Sequence, residues 1–351
     1  MSARIVLILV VLLAVLGGGA LLYQHQERSR RPDNVGTLGQ PLLKDLKASE
    51  VRGIRIVEAK RTLTLSNKDD RWVIEERGDF PADFAKVREF VVKAISLKVG
   101  QSDPIGEKDR ERLNLDDSGT QVEFLGAGSK VLGKLTVGRK YFKREVDNPE
   151  KASADGRFVA VPAEPKIAYL VSDALAQATT RTSEWIDKQS FQVEKVKTLE
   201  VRFPDGGSWR IERDGDNADW RLAGQRPGEK LETTRANAAS YSLSLLELAD
   251  VAGKDAKLED PIQIEATTLD GLSYSIKVGK PDGDNHPVTF TSSGTMTGAD
   301  GKDAERIKKL EARLPREKLL SQHVLLIPKS KLEDTLRKRD ELLEKKQDAK
   351  K

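Results

Sequence analysis

Along most of this chain, apolar residues alternate with polar ones in short runs, and the runs come in a set that occurs twice. After residue 49, Ile54 and Ile56 lie in one alternating stretch and Leu63 and Leu65 in the next. Leu199, Val201 and Phe203, then Trp209 and Ile211, repeat that arrangement. A period of two predicts half-buried strands. In each pass a polar turn, a strand led by Trp72 or Trp220, and a helix follow. The first helix is predicted to begin at Asp83 as N-cap, with Phe84, Val87, Val91 and Ala94 on its apolar face. The second begins at Thr233, with Ala236, Ala239, Leu243 and Leu246 on one side.

Two further strand pairs end in Val137-Gly138-Arg139 and Val278-Gly279-Lys280. The tryptophans are 148 positions apart and the valines 141. A spacing that large points to a duplicated domain, since solenoid repeats run about 20–50 residues. Asp205-Gly206 and Asp270-Gly271 sit between strand-like runs as hairpin turns. At the end, Ser330 and Glu333 have capping-box spacing and predict a helix to Lys346, with Leu332, Leu336 and Leu343 in a narrow stripe. The fold class expected is α+β: two duplicated units of antiparallel sheet with covering helices, preceded by a transmembrane helix.

That leading helix is read from Ile5 to Tyr23, nineteen residues without a charge. Its length of about 28 Å matches the roughly 30 Å hydrocarbon core of a bilayer. Leu21 to Tyr23 after Ala20 favour an uncleaved anchor over a signal peptide. The expected organisation is an anchor at 1–23, a linker at 24–48, repeat units at 49–190 and 191–340, and a charged tail at 341–351. For orientation, Arg28, Arg30 and Arg31 against Arg4 favour a cytoplasmic body. The short N-terminal tail and long following domain favour translocation.

Composition narrows the chemistry. Sixty Lys and Arg stand against 56 Asp and Glu, a net charge of +4 spread over a chain that is 33% charged. No bulk field favours nucleic acid, and 5% aromatic content is too thin for a base-stacking platform. With no cysteine, disulfides, thiolate metal sites and Cys nucleophiles are excluded. The three histidines, His25, His286 and His323, are far apart and lack zinc-site spacing. Asp214, Asp216 and Asp219, and likewise Asp282 and Asp284, put carboxylates in turns. Ala218 and His286 occupy the fifth calcium-loop position, so both runs read as hairpin turns. Lys130 precedes strand residues instead of a helix, which rules out a phosphate loop. No residue is assigned to catalysis, to a metal or to a cofactor.

Several elements resemble the bacterial family DUF4340 over roughly residues 50–340. They are Phe80-Pro81-Ala82-Asp83 before Val87, the Leu113-Asn114-Leu115-Asp116 turn, and Trp185 with Asp187-Lys188. The resemblance implies a single-pass envelope protein of a bacterial inner membrane with an extracytoplasmic body. It also implies a membrane partner among ABC-type transport components similar to those of gliding-motility systems. It assigns no catalytic residue. Asp83 is read as a helix cap and Trp72, Trp185 and Trp220 as core anchors. The function expected is a non-enzymatic interaction or accessory subunit. Two alternatives stay open: a glycan, lipid or small-molecule binding module at the cleft between the repeat units, and an unrecognised hydrolase.

Overall fold

A computed structural model describes residues 38–253, 256, 258–294 and 304–344. The apolar run at 5–23 lies outside them; among the described residues, no helix is long and apolar enough to cross a membrane. The strands form two antiparallel sheets, of nine and eight strands. To the first belong β1 (Gly53–Glu58), β2 (Arg61–Lys68), β3 (Arg71–Ile74), β4 (Phe80–Pro81), β5 (Val99–Pro104), β6 (Thr120–Leu125), β7 (Val131–Tyr141), β8 (Gly156–Ala160) and β9 (Ile167–Val171). The second holds β10 (Val196–Arg202), β11 (Trp209–Glu212), β12 (Arg221–Leu222), β13 (Asp250–Val251), β14 (Ile262–Thr268), β15 (Leu272–Val278), β16 (Asn285–Gly294) and β17 (Leu325–Pro328). The helices are α1 (Phe84–Ser96), α2 (Glu107–Arg112), α3 (Thr233–Tyr241), α4 (Ala304–Leu320) and the single turn α5 (Lys329–Leu332).

The chain divides into two compact units. One comprises the stretch ending at Glu50 with Val91–Glu123 and Val131–Ala178; the other comprises Val51–Phe90, Phe124–Lys130 and the chain from Thr179 onward. In the second unit, the alternation read from sequence becomes register. Ile54 faces Leu65 across β1 and β2, and Leu65 faces Ile74 across β2 and β3. Leu199 faces Ile211, and Ile211 faces Leu222, across β10, β11 and β12. All six side chains are buried, and full burial of each is worth about 1.5–3 kcal/mol.

A second correspondence involves both units, each taken alone. In the first, β7, β8, β9 and β5 are neighbours in that order. In the other, β15, β16, β17 and β13 follow the same order, all antiparallel. Both Val-Gly-basic endings are crowded at the glycine, by different neighbours. A Cβ on Gly138 would meet the Leu113 carbonyl at 2.4 Å and Leu115 Cδ2 at 2.7 Å, and one on Gly279 would meet the Pro287 side chain at 2.9 Å and that of Leu258 at 3.2 Å. Glycine is needed at Gly138 because the backbone of the turn after α2 crosses directly above the strand.

Three local expectations are corrected. Phe84 is 61% exposed; the buried face of α1 is Val87, Phe90, Val91 and Ala94, because the first residue of the helix overhangs that stripe. Trp72 is half-buried, since Val73 and Ile74 beside it take the core positions of β3. The predicted helix from Ser330 to Lys346 is replaced by α5, turns, and a 3₁₀ turn at Arg339–Leu342. Tertiary bonds outcompete the helical ones there. Thr335, fully buried, gives its hydroxyl to the Ala239 carbonyl at 2.7 Å, Trp209 Nε1 donates to the Arg337 carbonyl at 2.7 Å, and the Glu232 N–H donates to the Leu342 carbonyl at 2.9 Å. At the 3₁₀ turn the Glu341 carboxylate reaches back and accepts the Lys338 N–H at 2.8 Å.

Within the segment read as linker, Leu43 and Leu46 are buried, and the Gly39 and Leu42 N–H groups donate to the Val99 and Leu97 carbonyls. On α4, Glu317 is buried at 2% exposure, bound by Arg313 at 2.6 Å and by the Tyr274 hydroxyl at 2.9 Å. Burial and the Glu317 carboxylate both push the Tyr274 hydroxyl up.

Replacing Gly138 by Ala is expected to lower the stability of the full chain by about 1–3 kcal/mol, because backbone must shift to admit the methyl. Gly215→Ala, where a Cβ meets open space, should stay within about 0.5 kcal/mol. Urea denaturation midpoints of the two variants check this.

Candidate functional site

Two of the three elements that carry the family resemblance, Phe80–Asp83 and Trp185 with Asp187, meet around one buried indole, while the third, the Leu113–Asp116 turn, belongs to the first compact unit. Trp185 is fully buried, donates Nε1–H to the Thr179 carbonyl at 3.0 Å and stands edge-on to Phe90 at 5.3 Å. Its carbonyl accepts the Asp83 N–H at 2.7 Å. Asp83 in turn caps α1, its carboxylate accepting the Ala85 N–H at 2.9 Å, as its N-cap position requires. Lys86 donates to the Ile186 carbonyl at 2.7 Å. Asp187 accepts the Gln189 N–H at 3.0 Å and pairs with Arg316. Glu58 receives the Thr180 hydroxyl at 3.0 Å and the Thr179 hydroxyl at 3.2 Å. Burial pushes the Glu58 carboxyl up, but the bonds from Thr180 and Thr179 and the Arg61 charge outweigh it and leave it lowered. Each of these polar groups is occupied in holding the chain together.

His25 lies outside the described residues. His286 bonds through Nδ1 to the Gly279 carbonyl at 2.9 Å. It borders a hollow of about 660 Å³ with Asp284, Lys329, Ser330, Glu333 and Arg337. The charges there are partly internal, Lys329 lying 3.8 Å from Asp284 and Arg337 2.8 Å from Asp334. His323 stands edge-on to Phe80 at 5.1 Å. Burial lowers its pKa, opposed by a bond to the Arg77 backbone and by the charge of Asp79. Among the described residues, no three His, Asp or Glu side chains are placed to share a metal ion.

A larger hollow lies elsewhere, in the first compact unit, as a groove of about 1200 Å³. Its floor is one face of the β8, β9 and β5 strands, where Phe158, Ala168 and Leu170 meet Ile105 and Leu113. One wall is α2 and the turn after it, held to β7 by the Arg139 N–H donating to the Leu113 carbonyl at 2.8 Å. The other wall is the loop between β7 and β8. Lys140 fixes this loop by donating to three carbonyls, those of Pro149 at 3.1 Å, Glu150 at 2.8 Å and Ala152 at 3.3 Å. The Asp155 carboxylate accepts the Lys143 N–H at 2.9 Å at the far end of the same loop. Tyr141 stands edge-on to Phe158 at 6.0 Å, and Phe142 lies beside it on the rim. Arg112 pairs with Asp109 at 3.3 Å, whereas the side chains of Arg139, Lys143 and Arg144 have no partner among the described residues.

Of the groove residues, Leu113 and Arg139 were named from sequence, one in a turn and one at a strand end, and neither as part of a binding surface. The available signal was the run Arg139-Lys140-Tyr141-Phe142-Lys143-Arg144, four cations around two aromatic rings. Two strands' worth of distant chain complete it, which periodicity cannot reveal.

A family model described as a domain of unknown function, DUF4340, matches residues 72–270. No curated protein and no solved structure matches the chain.

The lowered pKa of His323 has a pH consequence. The unfolded chain binds a proton there near the ordinary value of about 6.5, while the fold holds the ring neutral to lower pH. Below that value the unfolded state binds more protons, so this contribution to stability is complete above pH 6.5 and falls as the medium becomes more acidic. Wild-type protein is expected to lose more of its urea midpoint between pH 7.5 and pH 5.5 than His323→Gln does. Equal losses would remove the effect.

Proposed function

The chain belongs to the DUF4340 family, and from that premise we propose that it is a non-enzymatic binding subunit of an envelope membrane complex. The apolar run at 5–23 tethers it to the bilayer. Two copies of one sheet module form the body, and that body offers surface to a partner protein. The duplication is supported by the shared strand order of β7-β8-β9-β5 and β15-β16-β17-β13. The partner class, an ABC-type transport component, rests on the family resemblance alone.

One observation carries the binding role: the groove of the first unit combines an apolar floor with three cations that pair with nothing described. A contiguous apolar surface rimmed by polar and charged side chains is the kind of patch that marks a protein-contact site. Asp83, Trp185 and Asp187 are engaged internally, whereas Leu113, from the third element of the resemblance, borders the groove.

Chemical crosslinking of the full chain in intact cells, followed by identification of the adducts, tests this reading. A transport component recovered repeatedly, together with retention in the membrane fraction after an alkaline carbonate wash, is the expected result. Release by the wash, or a C-terminal reporter active only in the cytoplasm, contradicts it.

A further inference from the structure

We propose that a hollow in the second compact unit binds a neutral saccharide, held by the exposed ring of Tyr241 and the amide of Asn237. The proposal goes beyond the protein-contact role above and does not depend on it. The hollow measures about 440 Å³, within the range of roughly 300–1,000 Å³ usual for small ligands. Its lining comes entirely from one unit. Part of that lining is a helical face. Asn237, Ser240, Tyr241 and Ser244 follow one another at i, i+3, i+4 and i+7 along α3 and the 3₁₀ turn Ser242–Leu245 after it. The rest is the stretch 193–196 leading into β10, with Arg213 and Asp216 just after β11. The Val193 N–H donates to the Leu243 carbonyl at 2.9 Å and ties the two parts together. Lys195 has a φ of 50°, a left-handed conformation that side chains disfavour and that collects at ligand sites.

Three observations set the ligand class. First, Tyr241 borders the hollow and is 63% exposed. A bare aromatic ring offers its negative π face to the C–H-lined face of a sugar ring. Second, Asn237 is oriented by its neighbour. Trp220 Nε1 can only donate, and it donates to Asn237 Oδ1 at 2.9 Å. The amide NH2 is thereby turned away from the indole, as a fixed donor for a ligand hydroxyl. Trp220 is itself buried and carries the Arg213 guanidinium over its ring at 4.8 Å, so the support is rigid.

Third, the charges around the hollow are matched within the protein. Arg213 meets Asp216 at 3.0 Å, Lys195 meets Asp270 at 3.4 Å, and Glu194 lies 3.8 Å from Arg313. A fully charged ligand gains little from groups already neutralised. Hydroxyl groups, by contrast, both donate to carboxylate oxygens and accept from an amide. Ser240 and Ser244 give their protons to the Asn237 and Tyr241 carbonyls, at 3.1 and 2.7 Å, which leaves their oxygens as further acceptors.

The test uses the full chain in a polyoxyethylene detergent, which contains no sugar to compete. The neutral probes are diacetylchitobiose and maltotriose; chitobiose and digalacturonate are their cationic and anionic counterparts. Titration calorimetry should give at least one neutral sugar a Kd of about 1 mM or tighter, and at least about tenfold tighter than either charged sugar. The same sugar should slow hydrogen exchange at residues 193–196 and 237–244. Tyr241→Ala should weaken binding at least about tenfold, whereas Tyr241→Phe retains it, because the ring face makes the contact. An unchanged urea midpoint in both variants, expected for an exposed side chain, separates lost binding from lost folding. Asn237→Asp keeps an acceptor for Trp220, removes the NH2 donors and should also cost about tenfold. Binding of both neutral sugars weaker than about 1 mM, equal or tighter binding of a charged one, or protection elsewhere overturns the proposal. So does full binding by Tyr241→Ala, or a loss in Tyr241→Phe as large as in the alanine variant. Those results leave the protein-contact role of the first unit standing, and a failure to crosslink a partner leaves this site standing.

Discussion

The fold turns on a single constraint: an indole excluded from water must still place its N–H. Trp185 does so by donating to the Thr179 carbonyl, and that bond sets the path of the segment from Thr179 to Lys188. Its own carbonyl then accepts the N–H of Asp83, so the cap of α1 is positioned by the same residue. Phe90, about two turns beyond Asp83 on α1, closes against the ring edge and stacks on Phe124 at 5.9 Å. A large aromatic with a satisfied polar end contributes area and direction together. Phe80–Asp83 and Trp185 with Asp187 thus make sense as parts of one joint, and their chemistry is that of packing and capping.

Binding surface is then free to lie where the fold does not need it. The groove of the first unit is built from strand ends, a short helix and a loop. Such places tolerate change because few core contacts depend on them. Lys140 is the exception: its three carbonyl bonds make the loop a wall. The two modules share strand order while differing in what is inserted. The first carries its long loop between β7 and β8, whereas the second carries α4 between β16 and β17. An insertion at a different point leaves a different surface on the same strand order.

Much of the framework was legible from period-two alternation, because Ile54, Ile56, Leu199, Val201 and Ile211 each face the core exactly as their spacing requires them to pack against neighbours on one side of a pleated strand. The Asp83 cap and the start at Thr233 were legible from local chemistry. Other features depend on partners far away in the chain. Leu332, Leu336 and Leu343 look helical in isolation, but Thr335, Arg337 and Leu342 find better bonds on α3 and β11. The fate of Phe84 and Trp72 follows from which neighbour wins the core position. The groove stayed invisible because its floor comes from β5, β8 and β9, and only its basic, aromatic rim is continuous in sequence.

The central claim is that Trp185 and the residues around it hold the body together and do not themselves contact a partner. Equilibrium urea denaturation of Trp185→Ala, paired with partner crosslinking in cells for the milder Trp185→Phe, tests it most directly. The account predicts a loss of about 3–5 kcal/mol for the alanine variant, with crosslinks retained in the phenylalanine variant at the level its folded fraction allows. A change below about 1 kcal/mol in the first, with crosslinks abolished in a fully folded second, would contradict it.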